Sequence, residues 1–185
     1  DELEKKILDK IIKPTIKGIN NLGTIYKGFL YAGLMIKENE PYLIEYNVRM
    51  GDPECQTILP MLNTDILEIL LNCVDKKLDQ TNIQWIGKSS LCVVLCSNGY
   101  PEKYEKNIEI NNLDKLIIDK DSYIFHAGTN KYQDKIVAVG GRVLNFVSTS
   151  NNLSSARKNI HLYLEKLNWK KGFYRRDIAF KVIDK

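Results

Sequence analysis

Three polar side chains alternate along one short apolar stretch: Glu45, Asn47 and Arg49 within Leu43-Ile44-Glu45-Tyr46-Asn47-Val48-Arg49. On a β-strand, successive side chains point to opposite faces. Ile44, Tyr46 and Val48 then share one face, and Glu45, Asn47 and Arg49 the other. The polar face offers a carboxylate, an amide oxygen and a guanidinium, spaced at roughly 7 Å. The first two are hard oxygen donors suited to Mg²⁺, which takes few protein ligands and leaves its other positions to water and phosphate. The third is a planar, permanently charged fork that fits a phosphate or a carboxylate. The set reads as a metal–phosphate site with an anion clamp, and its competitor is an ordinary solvated strand face. Directly afterwards Gly51-Asp52-Pro53-Glu54 turns the chain, bringing backbone N–H groups and two further carboxylates, Asp52 and Glu54, beside that face.

Other reactive side chains read as structural. Cys92 and Cys96 share a strand face, but zinc needs a second pair or nearby histidines, and His126 and His161 are the only histidines in the sequence. The four cysteines are expected to be reduced and structural, which fits a cytoplasmic protein. His126 reads as a satisfied structural histidine rather than an acid–base group, and His161 as a surface or packing residue on a helix. Gly140-Gly141 is too short to cradle a phosphate by itself.

The elements that must position the strand follow from periodicity. Residues 2–20 read as a helix, with Pro14 as a kink or break and Asn20–Gly23 as its end. Two strands, 27–37 and 42–49, form a hairpin across a short polar link. The first is apolar on both faces, which predicts a strand covered on both sides. Asp52-Pro53 predicts a capped helix over 53–62, and Asn63/Thr64 caps a helix over 65–76. After a weak polar stretch, a boundary is placed near residue 85. Strands are expected at 90–97, 106–110, 123–127, 136–139 and 142–149, then a helix over 153–167 and a tail. The organisation is α+β.

The composition sets limits. The chain has 185 residues, 44% hydrophobic and 27% charged, a globular balance in a length that folds without disulfides or metal. The longest nearly apolar run, Gly28–Ile36, is far below the roughly 18 residues of a membrane helix. The formal net charge is +4, and Lys166–Lys185 alone holds seven Lys/Arg against two Asp. The rest is close to neutral, so a broad nucleic-acid surface is not indicated, whereas a local anion site is allowed. The sequence opens on Asp1 inside a helical pattern rather than on Met, and is read as a cut within a longer protein.

The stretch GFLYAGLMI…LIEYNVRMGDPECQ resembles the phosphoribosylamine–glycine ligase (glycinamide ribonucleotide synthetase) family of ATP-grasp enzymes, whose run is E-F-N-x-R-F-G-D-P-E-x-Q. Here Tyr46 and Met50 stand at the Phe positions. Ile11-Ile12-Lys13-Pro14-Thr15, Lys17-Gly18, Asn98-Gly99-Tyr100-Pro101, His126-Ala127-Gly128-Thr129, Gly140-Gly141-Arg142-Val143-Leu144 and Tyr174-Arg175-Arg176-Asp177-Ile178 resemble family segments in the family's order. Many ATP-grasp enzymes carry a further acidic ligand on the preceding strand, and GFLYAGLMI has none, as in this family.

The resemblance implies the C-terminal half of an ATP-grasp domain over residues 1–85 and a small β-rich domain closed by one helix over 86–185. It implies a ligase of de novo purine synthesis that joins glycine to 5-phosphoribosylamine with ATP and Mg²⁺ or Mn²⁺. Glu45 and Asn47 take the metal-ligand positions and Arg49 a catalytic one. Asp52, Glu54, Arg175 and Arg176 are candidate substrate-binding residues; Asp52 and Glu54 could instead fix the turn, and Arg175 and Arg176 could instead form a salt-bridged tail. The expected partners are ATP, glycine, 5-phosphoribosylamine and the missing N-terminal part of the same enzyme, with no nucleic acid and no membrane. The chain alone is expected to be inactive. The alternatives are a non-catalytic folded module and another ATP-grasp ligase.

Overall fold

Pro14 does not end the first helix. In the computed structural model, which describes residues 1–183, α1 (Glu2–Ile7) runs through a π turn, Leu8–Ile12, into α2 (Lys13–Asn21). Proline has no N–H, and its ring crowds the carbonyl four residues back. The wider turn just before Pro14, closed by the Lys13 N–H on the Leu8 carbonyl, accommodates both. Asp184 and Lys185 of the basic segment lie outside the described residues.

The chain divides into two compact units: residues 1–52 with 64–84, and residues 53–63 with those from Trp85 onward. The first unit holds α1, α2 and an antiparallel hairpin of β1 (Tyr31–Lys37) and β2 (Glu40–Asn47). The turn is two residues, Glu38-Asn39, both at positive φ, as tight hairpins require, so Pro41 falls inside β2 opposite Ile36 rather than in the link. β1 begins later than expected and is not covered on both sides. Its sheet has two strands, and Met35 is 57% exposed. Gly33 pairs with Glu45 but Leu34 with Leu43, so Ile44 is an extra residue, a β-bulge. α4 (Ile66–Asp75) is capped by Asp65, whose side chain accepts from the Leu67 N–H, instead of by Asn63 or Thr64.

The second unit is strand-rich. β3 (Ser89–Ser97), β5 (Ser122–His126), β8 (Arg142–Ser150) and β9 (Gly172–Phe173) form a sheet in the order β5-β8-β3-β9. β4 (Ile108–Glu109), β7 (Lys135–Ala138) and β6 (Thr129–Tyr132) form a second sheet in that order. β6 and β9 were not expected: one is polar throughout and the other spans two residues, so neither carries an alternating apolar signal. β8 is buried at every residue from Val143 to Thr149, so both its faces are covered. α5 (Leu153–Leu167) packs on β3 and β8 through Ala156, Ile160, Tyr163, Leu164 and Leu167, a helical stripe. Its cap is Asn152, whose side chain accepts from the Ser155 N–H. The short α3 (Glu54–Ile58) also packs on β3. Its N-cap is Pro53, without a side-chain bond, so Asp52 does not cap it as expected: the chain is still in a turn there. α6 (Phe180–Ile183) closes the described chain.

Candidate functional site

In the first unit, β2 carries Glu45 and Asn47 two residues apart, on one face, where they touch: Asn47 Nδ2 donates to Glu45 Oε1 at 3.1 Å. This bond holds the carboxylate and leaves the Asn47 amide oxygen and the second Glu45 oxygen for another partner. Glu45 is exposed and Asn47 half-buried. The bulge at Ile44 sits just before the pair, and beyond it pairing is regular, Glu45 to Gly33 and Asn47 to Tyr31. Gly33 makes room for the carboxylate: a Cβ there would lie 3.2 Å from Glu45 Cγ. The sequence reading passed over Gly33, although a glycine inside an apolar strand signals close approach.

Tyr46 points away from this face and fastens the strand to the helix. Its hydroxyl lies 2.5 Å from Thr15 Oγ1, which itself donates to the Ile11 carbonyl at 2.8 Å. At the other end of β2, Glu40 accepts from Lys10 at 2.6 Å and pairs with Lys6 at 2.8 Å. Those two ammonium groups, Lys10 first, pull the Glu40 carboxyl down to about 2. The donor pair is thus carried on a strand anchored at both ends.

Arg49 lies past the end of β2, so strand alternation does not place it with Glu45 and Asn47 as expected. Its Nη1 donates to the neighbouring Met50 carbonyl at 2.8 Å, and the side chain is exposed. Asp52 is exposed in the turn that follows the buried Gly51. Glu54 belongs to the second unit, half-buried in the first turn of α3, with its carbonyl accepting from Thr57 Oγ1 at 2.7 Å. Arg175 and Arg176 also belong to the second unit. Arg175 grips Asp177 through two bonds, at 3.0 and 2.7 Å. Each partner shifts the other, the guanidinium upward and the carboxyl downward, through that hydrogen bond first. Arg176 lies over the Tyr174 ring and 3.6 Å from Glu165. These contacts are those of a pinned tail.

Among the described residues there is no group of three or more His, Cys, Asp or Glu side chains placed to hold a metal. Glu45 and Asn47 are a two-residue set of hard oxygen donors, a chemistry that fits Mg²⁺ or Mn²⁺ bound jointly with phosphate oxygens.

Three motifs of the second unit meet in one backbone knot. The Gly128 N–H donates to the Arg142 carbonyl at 2.9 Å, and the Val139 and Gly140 N–H groups both donate to the Gly128 carbonyl. A Cβ on Gly128 would meet Gly140 Cα and the Arg142 oxygen at 2.6 Å, and one on Gly141 would enter the Tyr100 ring. Ser97 Oγ donates to the Gly140 carbonyl at 2.9 Å. His126 Nδ1 lies 2.9 Å from Thr129 Oγ1, on the wall of an open cavity of about 810 Å³ that the Glu109–Lys135 ion pair also lines. His161 sits on α5 against Tyr174. All four cysteines are free thiols, and burial pushes Cys96 upward.

Residues 1–55 match the ATP-grasp (A) domain of phosphoribosylglycinamide synthetase, and residues 90–181 match its C domain. The chain is 40% identical over 181 residues to phosphoribosylamine–glycine ligase of Caldanaerobacter subterraneus, covering 96% of this chain and 43% of that protein. It is 38% identical over 184 residues to the enzyme of that name from Brucella melitensis, covering 100% of this chain and 43% of that protein. The crystal structure of phosphoribosylamine–glycine ligase from Thermotoga maritima superposes with a TM-score of 0.79 at 34% identity, over 95% of this chain and 42% of that one. The chain therefore spans less than half the length of these relatives. No helix among the described residues is long and apolar enough to cross a membrane. With two domains of one family matched in order along most of its length, the chain belongs to the phosphoribosylglycinamide synthetase family.

Proposed function

We propose that this chain supplies the metal-facing part of a phosphoribosylamine–glycine ligase, acting together with an N-terminal part of the same protein. The observation that carries the reading is the Glu45–Asn47 pair, joined at 3.1 Å on one face of an anchored strand and lying in a segment matched to the family's ATP-grasp domain. Residues 1–85 are read as the end of that domain and 86–185 as the small C-terminal domain. A working location in the cytoplasm suits its free thiols.

In the proposed reaction the glycine carboxylate attacks the γ-phosphorus of ATP and releases ADP. The amine of 5-phosphoribosylamine then attacks the resulting acyl phosphate at its carbonyl carbon and expels phosphate, giving glycinamide ribonucleotide. Phosphoryl transfer of this kind depends on positioning and on charge stabilisation more than on covalent help. Glu45 and Asn47 would hold Mg²⁺ or Mn²⁺, which when bound neutralises phosphate charge. Asn47 keeps the Glu45 carboxylate oriented through its amide. Arg49 is assigned to the acyl phosphate or its attacking partner, its fork able to donate to two oxygens at once. Asp52 and Glu54 are assigned to orienting the substrate amines. For Arg175 and Arg176 the contacts to Asp177, Tyr174 and Glu165 favour holding the tail over touching substrate.

The test is Glu45→Ala in the complete protein. Ligation should fall by at least about 100-fold, with stability changed by less than about 0.5 kcal/mol, because the side chain is exposed. Turnover close to normal would remove the metal assignment. The 185-residue chain given ATP, glycine and phosphoribosylamine should form no glycinamide ribonucleotide.

A further inference from the structure

The junction between α5 and the tail contains an unusual concentration of unmet polarity. Among the described residues, Arg157 Nε, His161 Nε2 and the Tyr174 hydroxyl are all buried without a hydrogen-bond partner. Leaving such atoms unpaired destabilises the packed junction. Yet the same junction holds the tail in place. The His161 and Tyr174 rings pack with centroids 5.7 Å apart, Arg176 covers Tyr174 at 5.3 Å, and an Arg157 Nη2–H donates to the Arg176 carbonyl. Tyr174, Ile178 and Ala179 in turn cover the core cluster that includes Ile160 and Leu164.

We propose that His161 is an acid-sensitive latch, closed while its imidazole is neutral, that holds residues 174–183 against α5. The charges acting on it are Arg157 on its own helix, Arg176 from the tail and, opposing them, Glu165. The strands beneath α5 contribute Cys92, Cys96 and Arg142 as their ionisable groups, and none of these is among the charges acting on it. A proton on His161 places a third positive charge beside two guanidinium groups, with Glu165 opposing it directly and Asp177 of the tail acting on Arg157. Burial first, and the two arginines next, hold the imidazole below the ordinary histidine range. The closed state therefore binds fewer protons than the open one. Closure is fully favoured above the open-state value of about 6.5 and weakens as pH falls through it. Asn98 still fastens the tail upstream, bonding the Lys170 and Lys171 carbonyls, so release is confined to the residues beyond.

Amide hydrogen exchange tests this directly. The Phe180, Val182 and Ile183 amides donate to the Asp177 and Ala179 carbonyls within the tail, so their protection falls when the tail leaves α5 and this last helical turn frays. After correction for the chemical exchange rate, their protection should drop at least about threefold between pH 7.5 and pH 5.5, and His161→Gln, which cannot be protonated, should flatten that dependence. A parallel drop in both proteins overturns the latch. A second readout is the imidazole titration followed by NMR. It should lie below the ordinary histidine value and move upward in Arg157→Gln; titration at or above that value, or no movement, overturns the proposal even if the glutamine variant folds poorly.

Discussion

At the scale of single residues, the decisive contact is between Glu45 and Asn47, and the residue that permits it is Gly33. An added methyl group at Gly33 would stand 3.2 Å from Glu45 Cγ and press the carboxylate out of its bond with Asn47. Gly33→Ala should leave stability within about 0.5 kcal/mol, since Glu45 is exposed and can move, but should weaken metal binding several-fold, measured as the Mg²⁺ dependence of ligation in the complete protein. The sequence made the pair legible because a strand period of two survives any choice of neighbours. It misled on Arg49, whose place depends on where pairing stops, and β2 stops at Asn47. The bulge at Ile44 has no sequence signal either, since register is a property of two strands and not of one. Caps were missed by small margins for the same reason. Asp65 and Thr64 are both competent, and the backbone geometry of the turn decides between them.

At the scale of elements, charge and close packing each hold one joint. Glu40 clamps the hairpin to the N-terminal helix through Lys6 and Lys10. Its depressed carboxyl means that this contribution is present above the ordinary value of about 4.5 and is lost as pH falls through about 2. Glu40→Gln should therefore be less stable than the parent at pH 6, with the difference shrinking toward pH 2 in denaturant melts. In the second unit the joint is backbone against backbone. Gly128→Ala sets a Cβ within 3.0 Å of three main-chain atoms that cannot rotate away, and should cost roughly 2–4 kcal/mol in urea unfolding. The three atoms nearest to a Cβ on Gly141 all belong to the Tyr100 ring, a side chain that can swing, so Gly141→Ala should cost less. This explains why the segments containing Asn98–Pro101, His126–Thr129 and Gly140–Leu144 were visible as motifs in the sequence without disclosing their role. They look like chemistry, and Gly128, Gly140 and Gly141 serve a packing knot that Tyr100 caps. The α5 stripe was readable in full, because a 3.6-residue period over 15 residues has few alternative interpretations.

At the scale of the whole chain, the two units have unequal claims to independence. The second owns a core from Leu91 to Trp169, with Phe146, Ile160 and Leu167 fully enclosed. Phe146→Ala should cost about 3–5 kcal/mol there, read as a lowered midpoint of its unfolding. The first owns a hairpin, the continuous α1–α2 helix, α4 and many exposed apolar side chains, among them Val48 at 77%. The division also has a consequence for dissecting the protein. The chain passes from the first unit to the second at Asp52, back at Asn63 and over again at Gln84. The two units alternate along the sequence, so no single scission frees one intact. A piece beginning at residue 86 would leave behind α3, a helix that packs on its own β3, and would start life with a gap in its wall.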